Sequence, residues 1–316
     1  MDNLTLRILP LVSDRLSAAL HAFLLSREAM RCTPKTLEHY RYTVGSFVAF
    51  LRGEGVTTLD AITSGHIRAF LVALQRRGVK DTTQHAHARG VKTFLRWLVS
   101  EGELDTSPME RVPMPRLDQR MPAPFTLEDI TTLLNTCAIR TAKGARDYAL
   151  ILALLDTGLR ASELLSLRVG DIDLRSGLTT VLGKGRKARQ VRFGAKARGA
   201  VVKMLGFRPN AGHGAPLWTT CDRLTGQLTE EALSLRGLQT ILHRLGAQAG
   251  VMPCAPHRFR RTFALAMLRD GCDLHSLRLL MGHATLDVLQ RYLALAGEDV
   301  ERAHRMHSPA DRLLGR

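Results

Sequence analysis

Apolar residues recur at intervals of three and four positions in four stretches before residue 105, a spacing typical of amphipathic α-helices. The four sets are Leu16, Leu20, Phe23 and Leu24; Leu37, Val44, Phe47, Val48 and Leu51; Ile67, Phe70, Leu71 and Leu74; and Val91, Phe94, Leu95 and Leu98. Thr33 and Thr63 stand where helices begin, and Gly53, Gly78 and Gly102 stand where helices end. The pattern predicts a four-helix domain over residues 1–105.

Residues 106–122 lose this periodicity and are rich in proline and arginine. The residues concerned are Pro108, Pro113, Pro115, Pro122, Arg111, Arg116 and Arg120. Proline at this density disfavours a helix and predicts a stiff, extended linker. The chain is therefore predicted to divide into a first domain at 1–105, a linker at 106–122 and a second domain at 123–316.

The second domain is predicted to be helical with one hairpin. Thr126 and Asp129 form a capping-box pattern that begins a helix to about Cys137, and Gly158 ends a helix over about 145–156. Further helices are predicted at about 195–205, 230–249, 257–270, 273–281 and 285–296. Two β-rich runs within 178–193 flank a Gly-Lys-Gly-Arg-Lys turn and predict a hairpin with a basic tip.

Composition narrows the class of partner. The chain has 45 Lys and Arg against 29 Asp and Glu, a net charge of +16, and its 45% hydrophobic content favours a folded protein. Such charge favours a polyanionic partner, although a merely solvated basic surface stays open. In the first domain, ten residues are candidate phosphate contacts: Thr33, Lys35, Arg41, Arg76, Arg77, Lys80, His85, His87, Arg89 and Lys92.

Membrane insertion and secretion are not expected. The longest apolar run ends at Asp156, far short of the roughly 20 residues that a spanning helix needs. The first residues lack the pattern of a signal peptide. The five cysteines form no Cys-x-x-Cys pair, which is typical of structural thiols in a reducing cytoplasm.

Five motifs follow one another in the second half of the chain. They are Thr157-Gly-Leu-Arg160-Ala-Ser-Glu163, Gly183-Lys184-Gly185, Pro256-His257-Arg-Phe-Arg260, Leu280-Met-Gly282-His283, and Tyr292 nine positions after His283. Together they resemble the tyrosine recombinases, or phage-integrase family, and the arrangement is similar to compact Xer-type or transposon-type members. The resemblance implies a mainly α fold, with a four-helix, SAM-like core-binding domain and an α-rich catalytic domain with a small antiparallel β-sheet.

The residues suit chemistry at a phosphodiester. Attack by a hydroxyl builds negative charge on the two non-bridging oxygens, and two permanently charged guanidiniums, Arg160 and Arg260, can neutralise it. Glu163 lies one helical turn after Arg160 and is expected to orient it. No converging carboxylates are evident near the motifs to hold Mg²⁺. The resemblance implies a reaction without a metal or nucleotide cofactor.

The resemblance assigns the remaining roles. It implies Tyr292 as the nucleophile that forms a 3′-phosphotyrosine, His257 or a neighbour as its base, and Lys184 as the general acid, with Lys187 as a rival. His283 is expected to donate to a non-bridging oxygen. Arg258 and Arg261 stand where the family more often has an acid or lysine and a histidine, which puts three arginines in one turn.

The function implied is that of a site-specific recombinase, used in integration, excision, dimer resolution or transposition. Its expected partner is double-stranded DNA, bound as a homotetramer on paired sites, with possible exchange of the tail after Gly297 between protomers. The expected location is the cytoplasm, on the nucleoid when DNA is bound. A type IB topoisomerase and a non-catalytic DNA-binding accessory protein are the alternatives.

Overall fold

The computed structural model describes residues 14–116, 123–183, 188–282 and Ser308. The chain divides into two compact units, one within Met1–Arg120 and one within Met121–Arg316. Among the described helices, none is both long enough and apolar enough to cross a membrane.

The first unit contains the four predicted helices. They are α1 (Arg15–Ala29), α2 (Pro34–Gly53), α3 (Ser64–Arg76) and α4 (Asp81–Ser100). The hydroxyls of Thr33 and Thr63 accept hydrogen bonds from backbone N–H groups of the first turns of α2 and α3, so both residues are N-caps. Most of the predicted apolar positions lie in one core, in which Phe23, Phe47 and Phe94 are fully buried.

The first part of the predicted linker is helical and not extended. Pro108–Arg111 forms one turn of 3-10 helix, and Met109 and Val112 are buried in the core of the first unit. Proline is tolerated at the first position of a helical turn, because its missing N–H would have no partner there. The extended conformation expected for the whole segment therefore does not hold at 108–111.

The second unit is built around a buried central helix. Its helices are α5 (Leu127–Asn135), α6 (Ala142–Thr157), α7 (Ala161–Leu165), α8 (Ala195–Leu205), α9 (Leu235–Ala249), α10 (Pro256–Arg269) and α11 (Leu274–Met281). Helix α6 packs against α8 and α10 and buries most of its residues. The core also contains Phe193, Trp218 and Phe259, all essentially inaccessible to solvent.

Two antiparallel hairpins complete this unit. Strand β1 (Leu178–Leu182) pairs with β2 (Ala188–Arg192), with Thr180 opposite Gln190, and these are the arms of the predicted hairpin. A second hairpin pairs β3 (Thr219–Cys221) with β4 (Leu228–Ala232). The mainly α fold with small antiparallel sheets is confirmed, and the second sheet is an addition to it.

The helix predicted from residue 230 is wrong at its start. Residues 228–232 form β4, and α9 begins only after Ser234, whose hydroxyl accepts from the N–H of Gly237. The cause is the preceding turn, in which the Asp222 carboxylate accepts from the N–H of Thr225 at 2.7 Å and Gly226 adopts φ +70°. The helix predicted at 285–296 lies outside the described residues.

Candidate active site

Arg160 lies in the turn between α6 and α7. Helix α6 ends at Thr157, and Gly158 takes a left-handed conformation in which any Cβ would lie 2.3 Å from the ring of Phe263. Arg160 then directs its Nη1 to Oε1 of Glu163, and its backbone N–H to Oε2, both at 2.9 Å. The side chain of Arg160 is 35% exposed, so solvent or a ligand can reach it.

Arg260 approaches the same turn from helix α10. Its side chain is buried, with Nη1 donating to the carbonyl of Gly158 at 2.5 Å and Nη2 donating to the carbonyl of Met281 at 2.6 Å. These contacts tie α10 to the ends of α6 and α11. The structure therefore brings together Arg160, Glu163 and Arg260, as the sequence predicts.

The C-terminal end of α11 receives three arginines. The carbonyls of three consecutive residues, Leu280, Met281 and Gly282, accept from Arg189, Arg260 and Arg160 at 2.9, 2.6 and 3.1 Å respectively. The last carbonyls of a helix have no partner within the helix and carry its partial negative charge, so cationic donors are favoured there. Three guanidiniums are thus gathered within one small region.

Arg189 is a member of this group that sequence reasoning missed. It lies on β2, and its Nη1 and Nη2 donate to Oε1 and Oε2 of Glu163 at 3.0 and 2.7 Å. The sequence did contain one indication of its role. Arg189 lies two residues before the buried Val191 and so on the same face of the strand, and a charged side chain on a buried face needs a partner of opposite charge.

Glu163 is the carboxylate that binds two of these arginines, Arg160 and Arg189, within the described part of the chain. Burial raises its pKa, but hydrogen bonds from Arg189 and Arg160 outweigh burial and hold the pKa at about 2. Glu163 is therefore ionised at neutral pH. One negative charge among three guanidiniums leaves two net positive charges, which suits the double negative charge that a phosphodiester develops during attack.

The other predicted residues stand as follows. His257 is exposed near the start of α10, three residues and so about one helical turn before Arg260. Lys184, its rival Lys187, His283 and Tyr292 lie outside the described residues. The described residues nearest to them in the sequence are Gly183 and Ala188, on either side of the two lysines, and Gly282, directly before His283.

Arg258 does not crowd the site as the sequence suggested. Its guanidinium lies 4.0 Å from the centre of the Phe125 ring and donates to Oδ2 of Asp129 at 3.0 Å and to the carbonyl of Ala123 at 2.8 Å. It therefore ties the start of α10 to the first residues of the second unit. The buried Arg260 instead contacts the ends of α6 and α11.

Among the described residues, no group of three or more His, Cys, Asp or Glu could hold a metal ion. Cys254 and His257, three residues apart in the sequence, could suggest two metal ligands, but burial raises the pKa of the Cys254 thiol to about 12 and so disfavours the thiolate that binds metals. His304 and His307, a second pair with metal-ligand chemistry in the sequence, lie outside the described part.

One candidate DNA contact of the first unit is wrong. His87 is 1% exposed, with its ring nitrogen 3.4 Å from the carbonyl of Thr43, and burial lowers its pKa. A neutral histidine in the core cannot reach a phosphate. Lys35 and Arg89 instead line an open groove between α2 and α4, together with Thr33, His39 and Thr93.

Comparison with known proteins agrees with this arrangement. Residues 124–298 match the phage integrase family, and residues 20–102 match the N-terminal SAM-like domain of phage integrases. Tyrosine recombinase XerC of Pelobacter propionicus is 31% identical over 276 residues, which cover 86% of this chain and 89% of that protein. XerC of Oceanobacillus iheyensis is 30% identical over 286 residues, covering 88% and 91%.

Solved structures share the fold. The Tn1549 transposon integrase in complex with transposon right-end DNA matches with a TM-score of 0.71 and 16% identity, covering 91% of this chain and 98% of that chain. The XerH site-specific recombinase bound to a palindromic difH substrate matches with a TM-score of 0.66 and 20% identity, covering 91% and 83%.

The chain belongs to the phage integrase family of tyrosine recombinases. It is a site-specific recombinase, an enzyme that breaks and rejoins DNA strands, and DNA is therefore the partner on which it acts. The topoisomerase and accessory-protein alternatives are not favoured, since its relatives are named as recombinases.

Proposed function

We propose that the second unit cleaves and rejoins duplex DNA through a 3′-phosphotyrosine, with Arg160 and Arg260 neutralising the non-bridging oxygens of the scissile phosphate. One observation carries the proposal. The guanidiniums of both residues donate to adjacent carbonyls at the end of α11, those of Gly282 and Met281, which are two residues of the motif that ends at His283. Because these two carbonyls belong to consecutive residues, the two guanidiniums are held close together. Two cations held in this way can each bind one non-bridging oxygen of the same phosphate.

Cleavage is a balanced displacement at phosphorus. The phenol oxygen of Tyr292 forms a bond to phosphorus while the bond to the 5′ oxygen breaks, so the enzyme conserves the bond energy in a phosphoester. His257 accepts the phenol proton, Lys184 supplies a proton to the departing 5′ oxygen, and Lys187 is the alternative donor. Rejoining is the reverse, in which a 5′ hydroxyl attacks phosphorus and the tyrosine leaves.

The pre-set positions of the arginines explain why they stabilise the transition state. Glu163 and the carbonyls of Gly158, Met281 and Gly282 fix both guanidiniums before DNA arrives. Little reorganisation is then needed as charge develops on the phosphate oxygens. His283 would add a neutral donor to one of the same oxygens.

The first unit supplies the sequence-reading domain in this proposal. Its groove between α2 and α4 presents Lys35 and Arg89 beside hydroxyl and imidazole groups, a composition that suits a phosphate backbone. Because each phosphate contact releases counterions, the logarithm of the affinity should fall with the logarithm of salt by about 0.9 per contact.

We further propose that the enzyme works as a homotetramer on two paired DNA sites, with the tail after Gly297 exchanged between protomers. Strand exchange needs four cleavages, one for each strand of two duplexes, and each protomer carries one Tyr292. We also propose that the enzyme is cytoplasmic and lies on the nucleoid during reaction, and the five free cysteines support a reducing compartment. Light scattering with and without paired sites tests the assembly, and four protomers only on paired sites are expected.

Trapping of a covalent complex tests the chemistry. A duplex selected by binding from a random-sequence library is nicked near the cleavage point, so that a short strand diffuses away after cleavage. Wild type should accumulate a protein–DNA adduct attached at Tyr292, and Tyr292→Phe should form none. An adduct that persists in the Phe variant would place the nucleophile elsewhere, and efficient relaxation of any plasmid regardless of sequence would favour a topoisomerase.

A further inference from the structure

The side chain of Arg189 makes three hydrogen bonds to protein acceptors at the site. Its Nη1 and Nη2 hold both oxygens of Glu163, and its Nε donates to the carbonyl of Leu280 at 2.9 Å. The side chain is 12% exposed, and each of its three nitrogens faces a protein acceptor. Its guanidinium is much less exposed than that of Arg160, which is 35% exposed, and it is held by Glu163, the carboxylate that also holds Arg160.

The partner of Arg189 is also the partner of Arg160. Oε1 of Glu163 accepts from both guanidiniums, and Oε2 accepts from Arg189 and from the backbone N–H of Arg160. A two-bond contact between a planar guanidinium and a planar carboxylate fixes the rotation of the carboxylate. The orientation of Arg160 therefore depends on Arg189, through Glu163.

Arg189 also connects segments that carry other proposed catalytic residues. It is the second residue of β2, five positions after Lys184 in the sequence, and its Leu280 acceptor lies three residues before His283. Gly282 leaves room for it, since a Cβ there would lie 2.9 Å from Nη1 and 3.1 Å from the central carbon of the guanidinium. One side chain thus joins β2, α7 and the end of α11.

We propose that Arg189 is a positioning residue for cleavage: it holds Glu163, and through it Arg160, in place, and fixes β2 against the end of α11. This inference rests on the proposed role of Arg160 and gives Arg189 no contact with DNA. This role requires the planar guanidinium of arginine, whose two Nη atoms bind both oxygens of Glu163 at once; the single ammonium of lysine cannot do so. Lysine at this position would keep the charge and lose the alignment.

The test compares Arg189→Gln and Arg189→Lys with Arg192→Gln, an exposed arginine on the same strand that serves as the matched control. The rate constant for single-turnover cleavage is measured on the nicked duplex with protein in excess. Arg189→Gln is expected to lose about 10²-fold, since small misplacements of catalytic groups cost this much. Arg189→Lys should recover less than about 10-fold of that loss, and all three variants should bind DNA with similar affinity.

A pH profile separates positioning from mere support of the fold. Without Arg189, the pKa of Glu163 should rise toward its ordinary value, so cleavage by Arg189→Gln should slow as pH falls from 6.5 to 4.5 while wild type changes less. The double variant Glu163→Gln with Arg189→Gln should lack this added pH dependence. It should also be no more than about 3-fold slower than the slower single variant, because the two residues act through each other.

The outcomes are distinct for the two proposals. Cleavage by Arg189→Gln at the rate of Arg192→Gln, or losses that multiply in the double variant, would overturn the role of Arg189 while leaving the Tyr292 adduct intact. Persistence of the adduct in Tyr292→Phe would instead overturn the proposed function. If Arg189→Gln does not fold, as judged by the fluorescence of buried Trp218, the same comparisons are made with Arg189→Lys.

Discussion

Replacing Glu163 by Gln should lower the free energy of unfolding of the second unit, and the lowered pKa of Glu163 gives the expected size of the loss. The side chain is 6% exposed, and its pKa of about 2 compares with 4.5 for an ordinary glutamate. At about 1.4 kcal/mol per pKa unit, the folded protein prefers the ionised form by about 3 kcal/mol. Glutamine resembles the protonated acid, so Glu163→Gln should lower the free energy of unfolding by about this amount at pH 7.

The pH dependence has a definite sign. Because folding lowers the pKa, the stabilisation is complete above the unfolded pKa near 4.5 and is lost as pH falls toward 2. The difference between wild type and Glu163→Gln should therefore stay at about 3 kcal/mol from pH 7 to about 5.5 and fall to about 2 kcal/mol near pH 3.5.

Urea unfolding in a Trp97→Phe background measures this difference, since Trp218 then remains as the only tryptophan and reports on the second unit. Glu230→Gln is the matched control. Glu230 also pairs with an arginine, the buried Arg208, at 2.7 Å, but Glu230 itself is 72% exposed, so water can replace part of the ion pair and Glu230→Gln should cost less than Glu163→Gln. Equal effects of the two substitutions, or an effect of Glu163→Gln that is constant between pH 7 and 3.5, would refute the reasoning.

Three further predictions concern single residues. Arg260→Gln should slow single-turnover cleavage by about 10²–10³ while DNA affinity in a filter-binding assay stays nearly constant, because a fixed donor acts mainly in the transition state; a loss confined to affinity would contradict this. Gly282 and Gly250 both have left-handed backbone angles, with φ of +62° and +67°, so alanine at either position should add strain of about 1–2 kcal/mol. Only at Gly282 would the new Cβ also meet a guanidinium, that of Arg189, at 2.9 Å. Cleavage should therefore fall only in Gly282→Ala, and equal rates would argue against the close packing. Burial lowers the pKa of His87, so the first unit should lose stability as pH falls from 7.5 through 6.5, where the unfolded histidine takes up a proton. In a Trp218→Phe background, in which Trp97 is the only tryptophan, unfolding followed by fluorescence should show a smaller pH effect in His87→Gln, and an unchanged pH effect would contradict the assignment.

The sequence predicted the parts of the structure that depend on local pattern. The four helices of the first unit follow from their apolar spacing, and the turn at Gly158 follows from the end of a helical pattern. Arg160 and Glu163 could be paired because they lie one helical turn apart. Arg260 could be predicted as a site residue from the motif Pro256-His257-Arg-Phe-Arg260.

Long-range contacts account for what the sequence did not predict. Arg189 has partners 26 and 91 residues away, so nothing beside it in the chain marks it as part of the site. His87 looked like other polar residues of α4, and only packing against Thr43 and its neighbours shows that it is buried. Strand β4 contains Glu230 and Glu231, which are common in helices, and the turn at Asp222–Gly226 overrides that preference.

Cleavage of a methylphosphonate linkage by Arg260→Ala tests most directly whether guanidiniums neutralise the scissile phosphate. A methyl group in place of one non-bridging oxygen removes the charge that the arginine would balance. The account predicts that Arg260→Ala, although about 10²–10³-fold slower than wild type on the phosphate duplex, approaches the wild-type rate on one methylphosphonate stereoisomer of the same duplex. An equal deficit on the phosphate and on both methylphosphonate isomers would contradict it.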